Sequence, residues 1–178
     1  MRRILAIVGG VLVVAVAGIL LYATTQPDTF RVARTQAIKA SPEKIYAFIN
    51  DFRSWPSWSP YEKKDPTMKR TLGGPPAGLG AVYAWEGNGE VGQGRMEIVE
   101  AKPASKVVIK LDFIKPFEAH NMAEFTLERS GDATAVTWAI YGPMPYISKV
   151  VCLFLDMDKM IGRDFEAGLA ALKSATEG

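Results

Sequence analysis

The chain has one cysteine, Cys152, and one histidine, His120. A lone thiol excludes an internal disulfide, and with a single imidazole it cannot build a conventional His/Cys zinc site. Disulfide stapling, metal catalysis and Cys–His nucleophilic catalysis lose their basis together. Charge of one sign is also missing: 21 Lys and Arg stand against 19 Asp and Glu, a net +2, where a nucleic-acid binder carries a strong basic excess. The glycine-rich stretch Gly73-Gly74-Pro75-Pro76-Ala77-Gly78 has no Lys-Ser/Thr ending and no helix after it, so it is not a phosphate loop. Internal repeats are absent. What remains is an ordinary globular composition, 48% hydrophobic and 22% charged over 178 residues, enough for one domain and unlike a disordered chain. No metal, no cofactor and no nucleic-acid partner are expected.

The first feature present is an uncharged apolar run. Ile4–Tyr22 is almost purely apolar, and as a helix it would extend about 28 Å, close to the ~30 Å hydrocarbon core of a bilayer. Arg2 and Arg3 precede it, and the positive-inside rule keeps such an end cytoplasmic. Arg31, Arg34 and Lys39 beyond the run, partly offset by Asp28, pull against that orientation. A cleaved signal peptide is the rival reading, with processing after Ala15-Val16-Ala17 or at Ala23. Five apolar residues continue past the first of these sites, and Leu21 sits poorly at the −3 position of the second. An anchor over residues 1–25, a linker over 26–29 and one domain over 30–178 is the expected organisation. Arg2 and Arg3 carry the whole net charge, which leaves that domain formally neutral.

Within the domain, Phe30–Ala40 reads as a strand. Ser41-Pro42-Glu43-Lys44 opens a helix with Ser41 as N-cap and Pro42 in the first position, and Ile45, Phe48, Ile49 and Phe52 share one of its faces. The proline-rich Ser54–Tyr61 suits a short helical turn and loop, and Thr67–Leu72 a weak strand. Asn88-Gly89 is a two-residue hairpin signal. Closing there sets Trp85 opposite Gly92, Tyr83 opposite Gly94 and Ala81 opposite Met96. A second turn at Lys102–Ser105 pairs Ile98 with Ile109, Met96 with Leu111 and Gly94 with Phe113, so one face stays apolar across three strands. Phe117–Glu128 and Ala133–Tyr141 follow, turning at Arg129–Asp132 and pairing Phe125 with Val136, Ala123 with Trp138 and Asn121 with Ile140. A helical period then runs through Ile147, Val150, Val151, Phe154, Ile161, Phe165, Leu169 and Leu172, as one helix of about 28 residues.

The order strand, two short helices, antiparallel meander, long C-terminal helix resembles the START/birch-pollen-allergen-like superfamily. The chain is similar within it to the polyketide cyclase/dehydratase and lipid-transport family, a bacterial SRPBCC group. The likeness rests on Ala40-Ser41-Pro42-Glu43-Lys44-Ile45-Tyr46, Trp55-Pro56-Ser57-Trp58-Ser59-Pro60, Trp85-Glu86-Gly87-Asn88, Val136-Thr137-Trp138 and Gly162-Arg163-Asp164-Phe165-Glu166-Ala167-Gly168-Leu169, across Phe30 to Glu177. It implies an α+β helix-grip fold: a seven-stranded antiparallel sheet wrapped around a long C-terminal helix, with an apolar cavity between them and the transmembrane helix added in front. It implies ligand binding, with lipids, sterols, polyketides and plant hormones among the family's ligands. It implies no shared catalytic residue, because the enzymes of the superfamily place their chemistry differently.

Strand parity gives the expected cavity lining as Tyr83, Trp85, Met96, Ile98, Ile109, Leu111, Phe113, Asn121, Trp138 and Ile140, with Phe154 and Ile161 from the helix. Asn121 is aimed inward, where its amide needs a loop backbone or a ligand head group. His120 faces outward between Glu118 and Glu124, a surface residue rather than a catalyst. Trp55, Trp58 and Tyr61 suit core packing beneath the short helices, with a cavity mouth or a membrane belt as alternatives. Cys152 reads as a small buried hydrophobe. Glu86, Glu97, Glu118 and Glu124 all point out, so no carboxylate is left in a dry cleft for acid–base work. The expected protein is a single-pass inner-membrane protein whose periplasmic domain binds a hydrophobic small molecule or lipid. A cyclase/dehydratase-like enzyme, or an envelope interaction module with a collapsed cavity, are the alternatives.

Overall fold

A computed structural model describes residues 2–178, with side chains from residue 7 onward. Helix α1 (Arg2–Thr24) is followed by β1 (Thr29–Ile38), α2 (Pro42–Asn50), a 3-10 turn (Phe52–Ser57) and α3 (Pro60–Lys64). Strands β2 (Lys69–Gly73), β3 (Val82–Glu86), β4 (Gln93–Lys102), β5 (Lys106–Lys115), β6 (Ala119–Ser130) and β7 (Ala133–Pro143) precede α4 (Tyr146–Cys152) and α5 (Met157–Glu177). The strands form one seven-stranded sheet in the order β1-β7-β6-β5-β4-β3-β2, and each register recorded from β2 to β7 is antiparallel. Two compact units result: residues 31–142 with 158–178, which hold the sheet, and residues up to 30 with 143–157.

In the larger unit, Ser41 caps α2 as its residue type dictates, its hydroxyl accepting from the Lys44 amide at 3.3 Å, with Pro42 in the first helical turn. Ile45 and Ile49 are fully buried. The indoles of Trp55 and Trp58 are fixed by donating to the Ile49 and Phe48 carbonyls at 3.0 and 3.3 Å. Both are buried, so they pack beneath the short helices. Arg34 of β1 holds α5 through Asp158 at 2.9 Å and Glu166 at 2.8 Å, and Lys64 of α3 reaches Asp164 at 2.7 Å. Phe165, Leu169 and Leu172, one stripe of α5, are buried, and Phe165 stacks on Trp138 with centroids 4.1 Å apart. Gly168 permits that approach: a β-carbon there would stand 2.7 Å from the Trp138 ring and 2.9 Å from Pro60.

The expected pairing of β4 with β5 is found: Ile98 faces Ile109, Met96 faces Leu111 and Gly94 faces Phe113, with an irregularity between Ile98 and Glu100 that adjusts the register. Two other hairpins differ from expectation by two residues. Trp85 faces Gly94 and Tyr83 faces Met96, because the β3–β4 loop is longer than Asn88-Gly89 alone. Gly92 donates to the Asn88 carbonyl at 2.8 Å, and the Asn88 side chain accepts from the Glu90 amide at 2.8 Å. Phe125 faces Trp138 and Ala123 faces Ile140, because β6 and β7 close tightly around Gly131-Asp132, with Gly131 at φ +63°. A shift of two preserves the face of every side chain, so the inward set is unchanged.

The predicted continuous C-terminal helix is broken. It divides into α4 and α5, and residues 153–156 lie in neither. In the smaller unit α4 packs along α1. Cys152, at the end of α4, is half-buried rather than fully enclosed.

Candidate functional site

The inward face of β3–β7 leaves a cavity of about 130 Å³. Seven of the twelve residues expected in its wall line it: Tyr83, Trp85, Met96, Leu111, Phe113, Trp138 and Ile140. Ile98 and Ile109 share their face but are wholly buried in packed core and do not border the space. Asn121 faces Leu111 across β5–β6 but is half-buried and turned toward Gly142, where a β-carbon would meet its Oδ1. Ile161 is half-buried on α5 away from the space. Phe154 corrects the expectation most: the helix breaks before it, and it is 70% exposed in the smaller unit. His120 is on the outer face, 63% exposed at its side chain, with Nδ1 2.7 Å from Asp112.

The remaining wall comes from the segment between α2 and β2, from Val91 and Glu90 of the β3–β4 loop, and from Ala123 and Phe165. Glycine 94 lets Trp85 lie flat across β4: a β-carbon there would stand 2.4 Å from the indole. The indole N–H of Trp85 donates to the Val91 carbonyl at 2.9 Å, which ties the loop to the wall. Asp65 holds the same loop from outside, accepting from the Asn88 amide at 2.7 Å and from the Thr67 hydroxyl at 2.7 Å. These donors, the Thr67 hydroxyl first, keep its carboxyl below the usual carboxylate range.

A buried carboxylate does reach the cavity, beside the exposed Glu90. Glu62 of α3, 6% exposed, borders it with both oxygens engaged. The Tyr83 hydroxyl donates to Oε1 at 2.5 Å, and Arg70 donates through Nε to Oε2 at 2.6 Å. Burial, then Glu62, pushes the Tyr83 phenol well above its ordinary pKa, and burial, then Asp164, does the same to Tyr61. Both phenols are therefore neutral at physiological pH. Sequence reasoning missed Glu62 because Ser54–Tyr61 reads as a short helical turn and loop, which leaves residue 62 with no assigned direction. The available signal was Ser59-Pro60, a helix-start pair that puts Glu62 in a first turn. Trp138 adds a buried indole nitrogen without a hydrogen-bond partner, on a ring held between Phe165 and Phe125. Among the described residues no cluster could hold a metal ion.

Residues 29–177 match the family model described as polyketide cyclase/dehydrase and lipid transport. No curated protein matches the chain. Among solved structures, a protein from Chromobacterium violaceum is similar with TM-score 0.60 and 14% identity, over 86% of this chain and 99% of that one. The Aha1 dimer from Colwellia psychrerythraea is similar with TM-score 0.56 and 19% identity, over 83% of this chain and 96% of that one. The di-domain ARO/CYC StfQ from the steffimycin biosynthetic pathway is similar with TM-score 0.62 and 10% identity, over 84% of this chain and 51% of that one. At these identities the likeness is one of fold.

Proposed function

The chain belongs to the polyketide cyclase/dehydrase and lipid transport family, and on that premise we propose that it is a membrane-tethered protein that binds a hydrophobic small molecule in the cavity beneath α5. The observation that carries this reading is a space of about 130 Å³ walled by Tyr83, Trp85, Met96, Leu111, Phe113 and Trp138. An engineered apolar cavity of ~150 Å³ in another protein takes up benzene, so this one suits a single ring or a short apolar segment. A larger lipid would enter only with widening of the cavity. Its volume favours a binder over an interaction module with a collapsed interior. Helix α1 contains an 18-residue window, Ile7–Thr24, long and apolar enough to cross a membrane. Arg2 and Arg3 in front of it favour a cytoplasmic N-terminus, with the sheet on the periplasmic side of an inner membrane.

Glu62 favours a second reading, a cyclase/dehydratase-like enzyme. A buried carboxylate on a cavity wall is the group such chemistry needs, but Tyr83 and Arg70 already occupy both its oxygens, which suits fixing the wall better than moving protons. Mass spectrometry of organic extracts from the purified protein, with titration of an apolar fluorescent dye, tests the binding. A co-purified apolar compound and saturable dye uptake are expected, and absence of both overturns it. Turnover of an extracted compound that Glu62→Gln abolishes, with dye affinity retained, would establish the enzyme instead.

A further inference from the structure

Helix α4 and the turn after it carry an apolar face that the cavity does not use. Ile147 is 74% exposed, Val151 47%, Phe154 70% and Leu155 50%. Beyond the end of α4 the Phe154 and Leu155 amides donate to the Val151 carbonyl at 3.0 and 3.1 Å, a closing turn that brings these four residues, spaced four, three and one apart, into one stripe. Within Tyr146–Leu155 the single charged residue is Lys149. It turns away from the stripe, its side chain 8% exposed, and donates to the Gln26 carbonyl at 2.9 Å and to Asp28 at 2.5 Å. A helix facing water would spend its charge on that face. Here the charge is spent on the residues just past α1.

Those contacts fix the height of the stripe. Tyr146 donates its hydroxyl to the Leu20 carbonyl at 2.9 Å, and the Met144 amide donates to the Asp28 carbonyl at 2.7 Å. The helix is thus tied to the stretch Leu20–Asp28, where the apolar run ends and polar chain begins. Tyr22, 58% exposed, and Tyr146, 45% exposed, stand at that level, as aromatic side chains do at a membrane–water boundary. The apolar surface of α1, with Leu21 69% exposed, is continuous with the unit that holds the stripe.

We infer that α4 lies in the surface of the bilayer that α1 crosses, with Ile147, Val151, Phe154 and Leu155 sunk into the boundary between headgroups and acyl chains, about 5–10 Å deep as for other interfacial helices. This rests on the membrane-anchor reading of α1. The occupant of the stripe is lipid, and the protein has two lipid contacts, one crossing and one lying flat.

Single cysteines in a Cys152→Ser background test this in the full chain, reconstituted in phosphatidylethanolamine–phosphatidylglycerol vesicles. Ile147→Cys and Phe154→Cys probe the stripe, Val13→Cys probes α1, and Glu128→Cys, at an exposed position of β6, is the aqueous reference. Each site carries a polarity-sensitive fluorophore, and nitroxide lipids act as quenchers, with the spin label near the headgroup for 147, 154 and 128 and deep in the acyl chain for 13. All four native positions are exposed, so labelling leaves packing intact. Blue-shifted emission and several-fold stronger quenching at 147 and 154 than at 128 are expected. If 13 is quenched while 147 and 154 behave like 128, the flat helix is wrong and the anchor stands. If 13 is unquenched while 147 and 154 are quenched, the anchor fails and the interfacial contact holds. No quenching at 13, 147 or 154 overturns both. Blue-shifted but unquenched labels at 147 and 154 mean that protein covers the stripe, which also overturns the inference.

Discussion

The larger unit has two halves built from the same kinds of residue on the same face of one sheet. Around Trp58, Phe125, Ile98 and Ile109 the side chains are fully buried and interlock. Around Trp85, Met96, Leu111 and Phe113 a space of about 130 Å³ is left. Hydrophobicity does not separate them. What differs is the cover: Trp58 joins Trp55 and Trp138, which also border the space, within 6.3 Å of the Phe125 centroid, whereas the open half is roofed by the short α3, the β3–β4 loop and Phe165. An apolar pattern commits a face to the interior, and the lengths of the covering segments decide whether that interior is filled.

The sharpest way to break the comparison is to remove a ring from the filled half. Phe125→Ala should destabilise by ~3–5 kcal/mol, the range for a buried aromatic whose site cannot collapse, measured by denaturant unfolding. A loss below about 1 kcal/mol would mean that this half is as loose as the other. Next comes Gly168→Ala, which adds a methyl where Trp138 and Pro60 already stand within 3 Å of its position. Overpacking there should cost ~1–3 kcal/mol, and a neutral outcome would show that α5 rides freely over the sheet.

How far the two halves could be read beforehand follows the same division. The β4–β5 register was legible because its central inward pairs, Ile98 with Ile109 and Met96 with Leu111, match apolar with apolar, and the pairs beside them, Arg95 with Asp112 and Glu97 with Lys110, match opposite charges. Two other hairpins were misread by two residues, since turn length depends on local hydrogen bonds such as that from Glu90 to the Asn88 side chain, which alternation does not encode. The faces survived because the period is two. Parity aims seven of the expected residues at the space they line, yet parity could not say that Ile98 and Ile109 border filled volume rather than empty. It was also silent about the helix break that removes Phe154, and about Glu62, whose inward aim depends on a single turn of α3.

Acid should loosen the open half before the filled one. The Asp65 carboxyl is lowered in the folded state from its ordinary 3.8, chiefly by the Thr67 hydroxyl. Its contribution is therefore fully present above that ordinary value and is lost as pH falls through the lower, folded one. Asp65 holds the loop whose Val91 borders the cavity, so dye affinity should weaken as pH falls below the ordinary 3.8, before global unfolding. In Asp65→Asn that acid step should disappear. A step of equal size in the variant would assign it to other carboxylates.

The smallest effect on stability should come from filling the space. Ala123 lies on β6 opposite Ile109 and Ile140 and borders the cavity. Ala123→Leu adds three methylene-sized groups to a space that already has room for them. The apolar area it buries, worth about 0.8 kcal/mol per group, offsets the strain of fixing one more rotamer, and the net change should stay within about 1 kcal/mol. Dye uptake should nonetheless fall several-fold, since the added groups take volume the dye needs. In the filled half the analogous enlargement at Val107, fully buried on β5, has no such room, and Val107→Phe should cost ~1–3 kcal/mol by overpacking. Equal losses at 107 and 123, with dye uptake unchanged in Ala123→Leu, would mean that the two halves are packed alike and that the dye binds elsewhere. A stable Ala123→Leu protein that no longer takes up dye would locate the ligand against β6.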